Sequence, residues 1–333
     1  MAVTPRYAAL ALSAMVACGT PLAAQSITSE ADVTAGISNQ EVRAVATQVR
    51  GFGEAIGVRY FVEVAMAAES ATVETDAFSG AYPYETGTHV IEAYGERLVR
   101  AGTMVMGARA GRFRTPFGLY NRGDHAYAGF FRAPLIRYDG YWAVSNNYLE
   151  HGGAGFIGTP HLLVEASVGA PADVGVAQRR TGVDTTVRAQ GFAGPFIVGV
   201  SHIRTQPFFD RPFVTGRATF TGVDGRWMAG GILVRGEWLY GQSYSGTSTD
   251  GGYLDVSVHR PRMGPVTAVF RTERLSYDTI PAFALHARRE TLGARVRLFP
   301  WLTAQVNVAH QTAQVAYGHP VTVDVGATDS VRR

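Results

Sequence analysis

A stretch without strand or helix periodicity begins near residue 114, ends near residue 149 and is dense in Tyr, Phe, Arg and Asp. Arginines and carboxylates are interspersed there without the spacing of a metal-binding or nucleophile motif. Opposed guanidinium and carboxylate groups can instead create a transverse electric field, which sorts solutes by charge when the groups line a narrow aqueous passage. The candidates in this stretch are Arg114, Arg122, Asp124, Arg132, Arg137 and Asp139.

Catalytic alternatives have little support in the sequence. The histidines are scattered, without HExxH-like spacing or a Cys partner, so no metal site is expected. Ser145 and His151 are not accompanied by a recognisable nucleophile elbow. The glycine-rich segments 107–111 and 152–155 are not followed by a predicted helix, which argues against a phosphate-binding loop. We therefore expect no catalytic residue, no metal and no cofactor.

Composition favours a folded chain that is not a nucleic-acid binder. The 333 residues are 46% hydrophobic and only 17% charged, with a formal net charge of +3. All 30 basic residues are Arg, and they are interspersed with acids rather than gathered on one face.

The N-terminus predicts a cleavable export signal over residues 1–24. Arg6 supplies the positive flank, the segment from Tyr7 to Ala17 is a short apolar core, and small residues precede a cut after Ala24. The single Cys lies inside this signal, at Cys18. The mature chain is then expected to form no disulfide.

Apolar and polar residues alternate over about sixteen segments after the signal, most clearly at 291–298, 302–308 and 321–328. Successive strand side chains point to opposite faces, so each segment has one apolar and one polar face. Short and long connections alternate, as expected when every second turn faces the periplasm. The short connections include Val223-Asp224-Gly225, between strands predicted at 214–221 and 226–240, and Phe299-Pro300-Trp301.

This pattern predicts an all-β fold over residues 25–333, a transmembrane antiparallel barrel of about sixteen strands. Fourteen strands remain possible because the first two segments are the weakest. A soluble sandwich also alternates, but the export signal and the number of segments favour a closed barrel. A barrel of this size encloses an aqueous channel.

The irregular stretch then follows the fifth strand, and it begins at the outer side of the barrel if the N-terminus lies in the periplasm. Either its aromatic residues guide solutes or they hold the loop against the wall. The wall charges either act with the loop in selectivity or form a solvated, salt-bridged surface. Of the wall positions expected to face the lumen, the constriction candidates are Arg271, Glu273, Arg295 and Arg297, and the others are Arg188, Arg235, Asp184, Glu237, Asp255 and Asp324.

Several segments resemble those of a known family. They are Gly-Arg-Phe-Arg-Thr-Pro-Phe-Gly at 111–118, the segment 266–275, the turn 298–302 and Val-Asp-Val-Gly at 323–326. In these the chain resembles the general porins of Gram-negative outer membranes, and more specifically the porin relatives that include phosphate-selective channels. The resemblance implies that residues 114–149, after the fifth strand, fold inward as a constriction loop, and that the protein is a homotrimer. The chain departs from the phosphate-selective members in having no Lys.

The expected function is passive diffusion of small hydrophilic solutes across the cell outer membrane. A mild anion preference is expected because Arg outnumbers acid in the loop. The expected partners are membrane lipid, lipopolysaccharide and small anionic or polar solutes, but not nucleic acid. The alternative is an outer-membrane β-barrel enzyme or adhesin that acts through its external loops.

Overall fold

Sixteen antiparallel strands form a closed barrel in the computed structural model of the chain. The structure describes residues 26–38, 43–70, 87–119, 130–132, 134–137, 149–172, 182–205, 217–242, 248–278, 285–313 and 321–332. The proposed signal at 1–24 lies outside these residues. The strands are β1 Ser26–Ser38, β2 Arg43–Ala55, β3 Val58–Ser70, β4 Gly87–Ala101, β5 Met104–Arg114, β6 Leu149–Gly158, β7 Leu162–Ala172, β8 Asp184–Ala193, β9 Phe196–Thr205, β10 Ala218–Ala229, β11 Ile232–Gln242, β12 Ser248–Val258, β13 Val266–Asp278, β14 Leu285–Arg297, β15 Leu302–Ala313 and β16 Val321–Arg332. Two short 3-10 helices span Leu135–Arg137 and Pro261–Met263.

The predicted barrel of sixteen strands is confirmed, and both weak N-terminal segments are strands. β1 pairs with β2 on one side and with β16 on the other, where Ala31 lies opposite Val331. This pairing closes the sheet and leaves no free edge, as a barrel in lipid requires. The strands are long enough to cross a bilayer, since the shortest have 10 residues and a tilted transmembrane strand needs about 9–11.

Alternation separates the two faces of each strand. On β14, Arg289 and Thr291 are buried towards the interior, whereas the next residue, Leu292, is 64% exposed on the outside. On β1, Asp32 and Thr34 are buried while Ile37 is 51% exposed. The apolar residues of this barrel therefore form its outer surface and the charged residues its inner wall, the reverse of a soluble protein.

Aromatic residues lie near both ends of the outer surface. Phe299 and Trp301 stack with their ring centroids 5.1 Å apart beside the turn from β14 to β15. Trp238 and Tyr240 are exposed near the opposite end, among the last residues of β11, which ends at Gln242. Such positions match the interfacial girdles of transmembrane barrels. No helix in the described parts of the chain is long and apolar enough to cross a membrane.

One predicted turn is wrong. Val223, Asp224 and Gly225 lie inside β10, which runs without interruption from Ala218 to Ala229. The chain turns instead at Gly230 and Gly231, whose φ angles of +57° and +77° favour glycine. The Asp-Gly pair resembles a turn signal, but Asp224 is a buried wall residue that accepts hydrogen bonds from Arg188.

The long connection from β5 to β6 folds into the barrel, as predicted. Its described residues contact wall strands that are far apart in the closed order: first β9, β10 and β11, then β15, β16 and β1, and finally β12 and β13. A segment that follows β5 can reach these separate sectors only by crossing the interior.

Candidate functional site

The loop leaves β5 through a cluster of ion pairs on the inner wall. The Arg114 guanidinium lies 2.8 Å from Glu63 and 2.6 Å from Glu92, and the Arg114 N–H donates to the Glu92 carboxylate at 2.9 Å. Glu63 also lies 3.9 Å from Arg50, which bonds Asp32 at 3.1 Å. Arg114, predicted as a selectivity residue, is therefore part of a network that joins β1, β2, β3 and β4 to the start of the loop.

The first crossing segment is attached to the wall at β9, β10 and β11. The Gly118 N–H donates to Ser201 Oγ at 3.1 Å, and the Leu119 N–H donates to the Glu237 carboxylate at 3.2 Å. Gly118 has a φ of +60°, and a Cβ there would collide with the Glu237 carboxylate. Phe117 is buried against Gly222 of β10. The motif Arg-Thr-Pro-Phe-Gly thus brings the loop backbone against a buried wall carboxylate.

The second attachment joins the loop to β15, β16 and β1. The Arg132 guanidinium donates to both oxygens of Asp324, at 2.8 and 3.1 Å, and the side chains are only 6% and 7% exposed. The neighbouring Phe131 N–H donates to Asn307 Oδ1 at 3.1 Å. The Phe131 ring lies over Gly36 and Gly326, where a Cβ on either residue would meet it. A bidentate guanidinium–carboxylate pair fixes both distance and orientation at this point.

Arg271 of β13 holds the loop from a third direction. Its guanidinium donates to Asp255 at 2.6 and 2.9 Å and to the main-chain carbonyl of Arg132 at 2.9 Å. The same group stacks over Phe130 at 4.1 Å and lies 5.3 Å from the Tyr253 ring. Arg271 is 1% exposed, so its charge is enclosed by loop and wall rather than presented to the lumen.

Glu273 completes the third attachment. Its carboxylate accepts from the Leu135 N–H at 2.7 Å and is held by Arg289 through bonds of 2.9 and 3.1 Å. Leu135 and Ile136 are buried beside it, and Ile136 faces the bare backbone of Gly251. Arg289, which the sequence interpretation did not single out, therefore orients the carboxylate that fixes the short 3-10 helix of the loop.

The candidate residues consequently fall into three groups. Arg114, Arg132, Arg271 and Glu273 are brought together as anchors of the loop. Arg295 and Arg297 lie apart, near the short-turn end of β14, in a recess with His259. Arg122, Asp124 and Asp139 fall outside the described residues, and for Arg137 only the backbone position in the 3-10 helix is described.

Other charged wall residues are paired between strands. Arg188 of β8 and Asp224 of β10 share bonds of 2.6 and 2.8 Å, and both are buried. Arg235 bonds Asp255 at 2.9 Å. Glu150, at the start of β6, and Asp184 are buried, and Glu150 accepts from Ser167 at 3.1 Å.

An aromatic patch and a second ion-pair cluster occupy the wall of β2 to β5. Phe61 lies between Phe52 and Tyr94, with ring centroids 4.9 and 5.3 Å away. Arg109 lies 4.7 Å above the Tyr94 ring and bonds Glu96 at 3.1 Å. Inward parity along each strand could have identified these residues and Arg289, but their partners are too far along the chain for a local pattern to predict.

The described residues contain no group of three or more His, Cys, Asp or Glu side chains placed to hold a metal ion. The arrangement that they do contain is electrostatic. Arginines and carboxylates alternate around an enclosed wall and hold a loop across it, which can present charge and restrict the size of the opening.

Comparisons with known proteins agree with this geometry. Neither a protein-family model nor a curated protein matches the sequence. Among solved structures, the chain is similar to Salmonella typhi OmpF in complex with daunomycin, at 10% identity and a TM-score of 0.64 over 92% of this chain and 97% of that one. It is also similar to the anion-selective porin from Comamonas acidovorans (11% identity, TM-score 0.61) and to a triple mutant of the Rhodopseudomonas blastica porin (14% identity, TM-score 0.54), in each case over 92% of this chain and 99% of the other. The chain therefore has the sixteen-stranded barrel fold of the outer-membrane porins.

Proposed function

We propose that the chain is a passive outer-membrane channel through which small hydrophilic solutes diffuse, with a mild preference for anions. The observation that carries this proposal is the loop after β5, which crosses the lumen of a closed sixteen-stranded barrel and is attached to three sectors of its wall. A barrel of this size has an aqueous interior, and an inward loop narrows it without closing it.

In this proposal the loop 114–149 is the constriction, and its anchors act indirectly. Arg114, Arg132 and Arg271 are neutralised by carboxylates, so they hold the loop at a set position rather than attract solutes themselves. Arg122, Asp124, Arg137 and Asp139 remain candidates for direct contact with permeating solutes. Glu273 acts as the acceptor that positions the loop backbone.

The proposed location is the cell outer membrane, reached through the signal at 1–24. The exposed apolar outer face supports contact with lipid, and the aromatic residues near its ends fit the two interfaces. We further propose a homotrimer, on the family resemblance of the sequence, with membrane lipid and lipopolysaccharide as its surroundings. Mass determination of the detergent-solubilised protein tests the trimer, and a monomeric mass would contradict it.

Single-channel recording of the purified protein in planar bilayers tests the channel proposal. We expect stable, ohmic conductance, and in a salt gradient a reversal potential shifted modestly towards that of the anion. A folded barrel that conducts no current would favour the alternative, an outer-membrane enzyme or adhesin acting through external loops. No feature of the described residues favours that alternative at present.

A further inference from the structure

A basic recess lies on the lumen wall at the short-turn end of the barrel, away from the loop. It has a volume of about 580 Å³ and is lined by residues that include His259, Thr267, Arg295, Arg297 and Thr303. None of its described lining residues is acidic. The lining thus combines two guanidinium groups with one imidazole ring and two threonine hydroxyls.

The two arginines are separated from the constriction along β14. Arg289, which orients the loop anchor Glu273, points into the lumen, and Arg295 and Arg297 follow on the same face of the strand. Six residues of strand correspond to ~20 Å, so the recess lies well beyond the loop attachments.

The carboxylate closest along the neighbouring strand is already engaged. Asp255 of β12 precedes His259 by four residues, and it binds both Arg271 and Arg235 at 2.6 to 2.9 Å. Asp255 is therefore held farther inside the barrel by these two arginines. Two guanidinium groups at alternate strand positions repel one another, and an anion between them relieves that repulsion.

The chemistry of the recess suits an oxyanion. Guanidinium groups present planar pairs of N–H donors that match the oxygens of phosphate and carboxylate. The Thr267 and Thr303 hydroxyls add neutral donors at the same recess. His259 is held in place by bonds from its ring to the Val266 carbonyl at 3.0 Å and to Thr267 at 3.4 Å.

We propose that this recess is a low-affinity binding site for small oxyanions, and that it supplies the anion preference of the channel from the short-turn mouth. The inference rests on the proposed channel function and deepens it. In this proposal Arg295 and Arg297 determine the ion selectivity, and the loop determines the width of the channel. Binding must be weak, because conduction requires that each anion also leaves the site.

Bilayer recordings of the full-length protein test the site with inorganic phosphate. At about 0.1 M chloride, where charges act over ~10 Å, added phosphate should reduce the chloride current of the wild type. In the double variant R295Q/R297Q the phosphate concentration for half-block should rise about tenfold or more, because two charge-assisted contacts are removed. Its reversal potential should move towards that of the cation. The matched control is R288Q, which removes one positive charge from the outer surface of the same strand.

The outcomes separate the two proposals. If R295Q/R297Q conducts and phosphate blocks it as it blocks the wild type, the oxyanion site is overturned and the channel proposal stands. The same holds if the wild type conducts but phosphate does not block it. A silent wild-type barrel overturns the channel proposal and the site with it. Heat-dependent mobility on gels shows whether each variant is folded. If the double variant does not fold, the single variant R297Q, at an exposed position near the end of β14, should show an intermediate loss of block, and an unchanged block there overturns the site.

Discussion

Replacing Arg132 with Met is expected to loosen the constriction loop and widen the channel intermittently. Arg132 and Asp324 are both buried and share two charge-assisted hydrogen bonds of 2.8 and 3.1 Å. Removing one partner of a buried ion pair costs about 3–5 kcal/mol, because the remaining charge is left without compensation. Met reproduces the unbranched stem as far as the position of Nε, so the substitution keeps the packing of the stem and removes the charged group.

The cost can be compared with the other contacts that hold this part of the loop. The polar ones among them are the Arg271 bond to the Arg132 carbonyl, the Leu135 N–H bond to Glu273 and the Phe131 N–H bond to Asn307. A neutral hydrogen bond contributes about 1 kcal/mol and one to a charged group about 1.5–3 kcal/mol, which gives roughly 4–7 kcal/mol for the three. The buried Phe130, Leu135 and Ile136 add to this total, but the cost is a large fraction of it, so the segment should detach more often than in the wild type.

We therefore expect R132M to show a higher mean conductance and more current noise than the wild type in single-channel recordings. The fall in the free energy of unfolding, measured by denaturant titration in lipid vesicles, should stay below about 3 kcal/mol. Detachment lets water reach Asp324 and so relieves part of the cost of about 3–5 kcal/mol. The double variant R132M/D324N should be more stable than R132M, because it removes the uncompensated carboxylate.

The matched control is R188M. Arg188 forms an equally buried bidentate pair with Asp224, but both partners belong to wall strands and neither belongs to the loop. R188M should therefore destabilise the barrel without raising current noise. If R132M lowers stability while its conductance and noise remain those of the wild type, the loop segment at 130–137 does not limit the channel.

Three further predictions concern the wall, the first crossing and the ionic strength. E273Q should lower the free energy of unfolding by about 3 kcal/mol or more, because it removes the carboxylate that pairs with the buried Arg289. R288Q should change the free energy of unfolding by less than about 1 kcal/mol, because its pair with Glu290 is exposed. Denaturant titration in vesicles measures both, and equal effects would contradict the assignment. G118A should alter conductance, because the new methyl group would displace the loop from Glu237; an unchanged conductance and an unchanged melting temperature would show that the crossing is not tightly held. The anion preference should grow when the salt concentration is lowered from about 1 M to about 0.1 M, because the Debye length rises from ~3 to ~10 Å. If the reversal potentials give the same permeability ratio at both concentrations, fixed charges on the pore wall are not the source of the preference.

Local patterns account for the parts of the fold that the sequence predicts well. The number of strands follows from alternation and from the lengths of the connections, the inward loop follows from the porin resemblance, and the structure confirms both. The missed turn shows the limit of such patterns. Asp224 and Gly225 have the composition of a turn, yet Asp224 is needed on the inner wall opposite Arg188, and two glycines with positive φ supply the real turn nearby.

The inward and outward sets were also predictable, but the roles of the inward charges were not. Parity along β13 places Arg271 and Glu273 on the same face, which is enough to predict a polar wall. Nothing local shows that Arg271 binds the loop carbonyl of Arg132, or that Glu273 is shared between Arg289 and the Leu135 N–H. The sequence interpretation predicted these residues as selectivity groups, and the structure shows the hydrogen bonds by which they hold the loop.

Local patterns in the sequence are sufficient to predict a barrel with an apolar outside, a charged inside and a long connection after β5. These properties depend on a two-residue period and on connection length, which are local quantities. The tertiary structure shows which arginines pair with carboxylates at the loop, such as Arg132, and which line the recess at the mouth, Arg295 and Arg297. Arg132 meets Asp324 across 192 residues of chain because closing the barrel brings β16 beside β1, where the loop arrives. Arg289, Arg295 and Arg297 lie on the same face of β14, so the sequence pattern does not separate them. Arg289 pairs with the loop anchor Glu273, whereas Arg295 and Arg297 lie farther from the loop, and this difference is known only once the loop has been located.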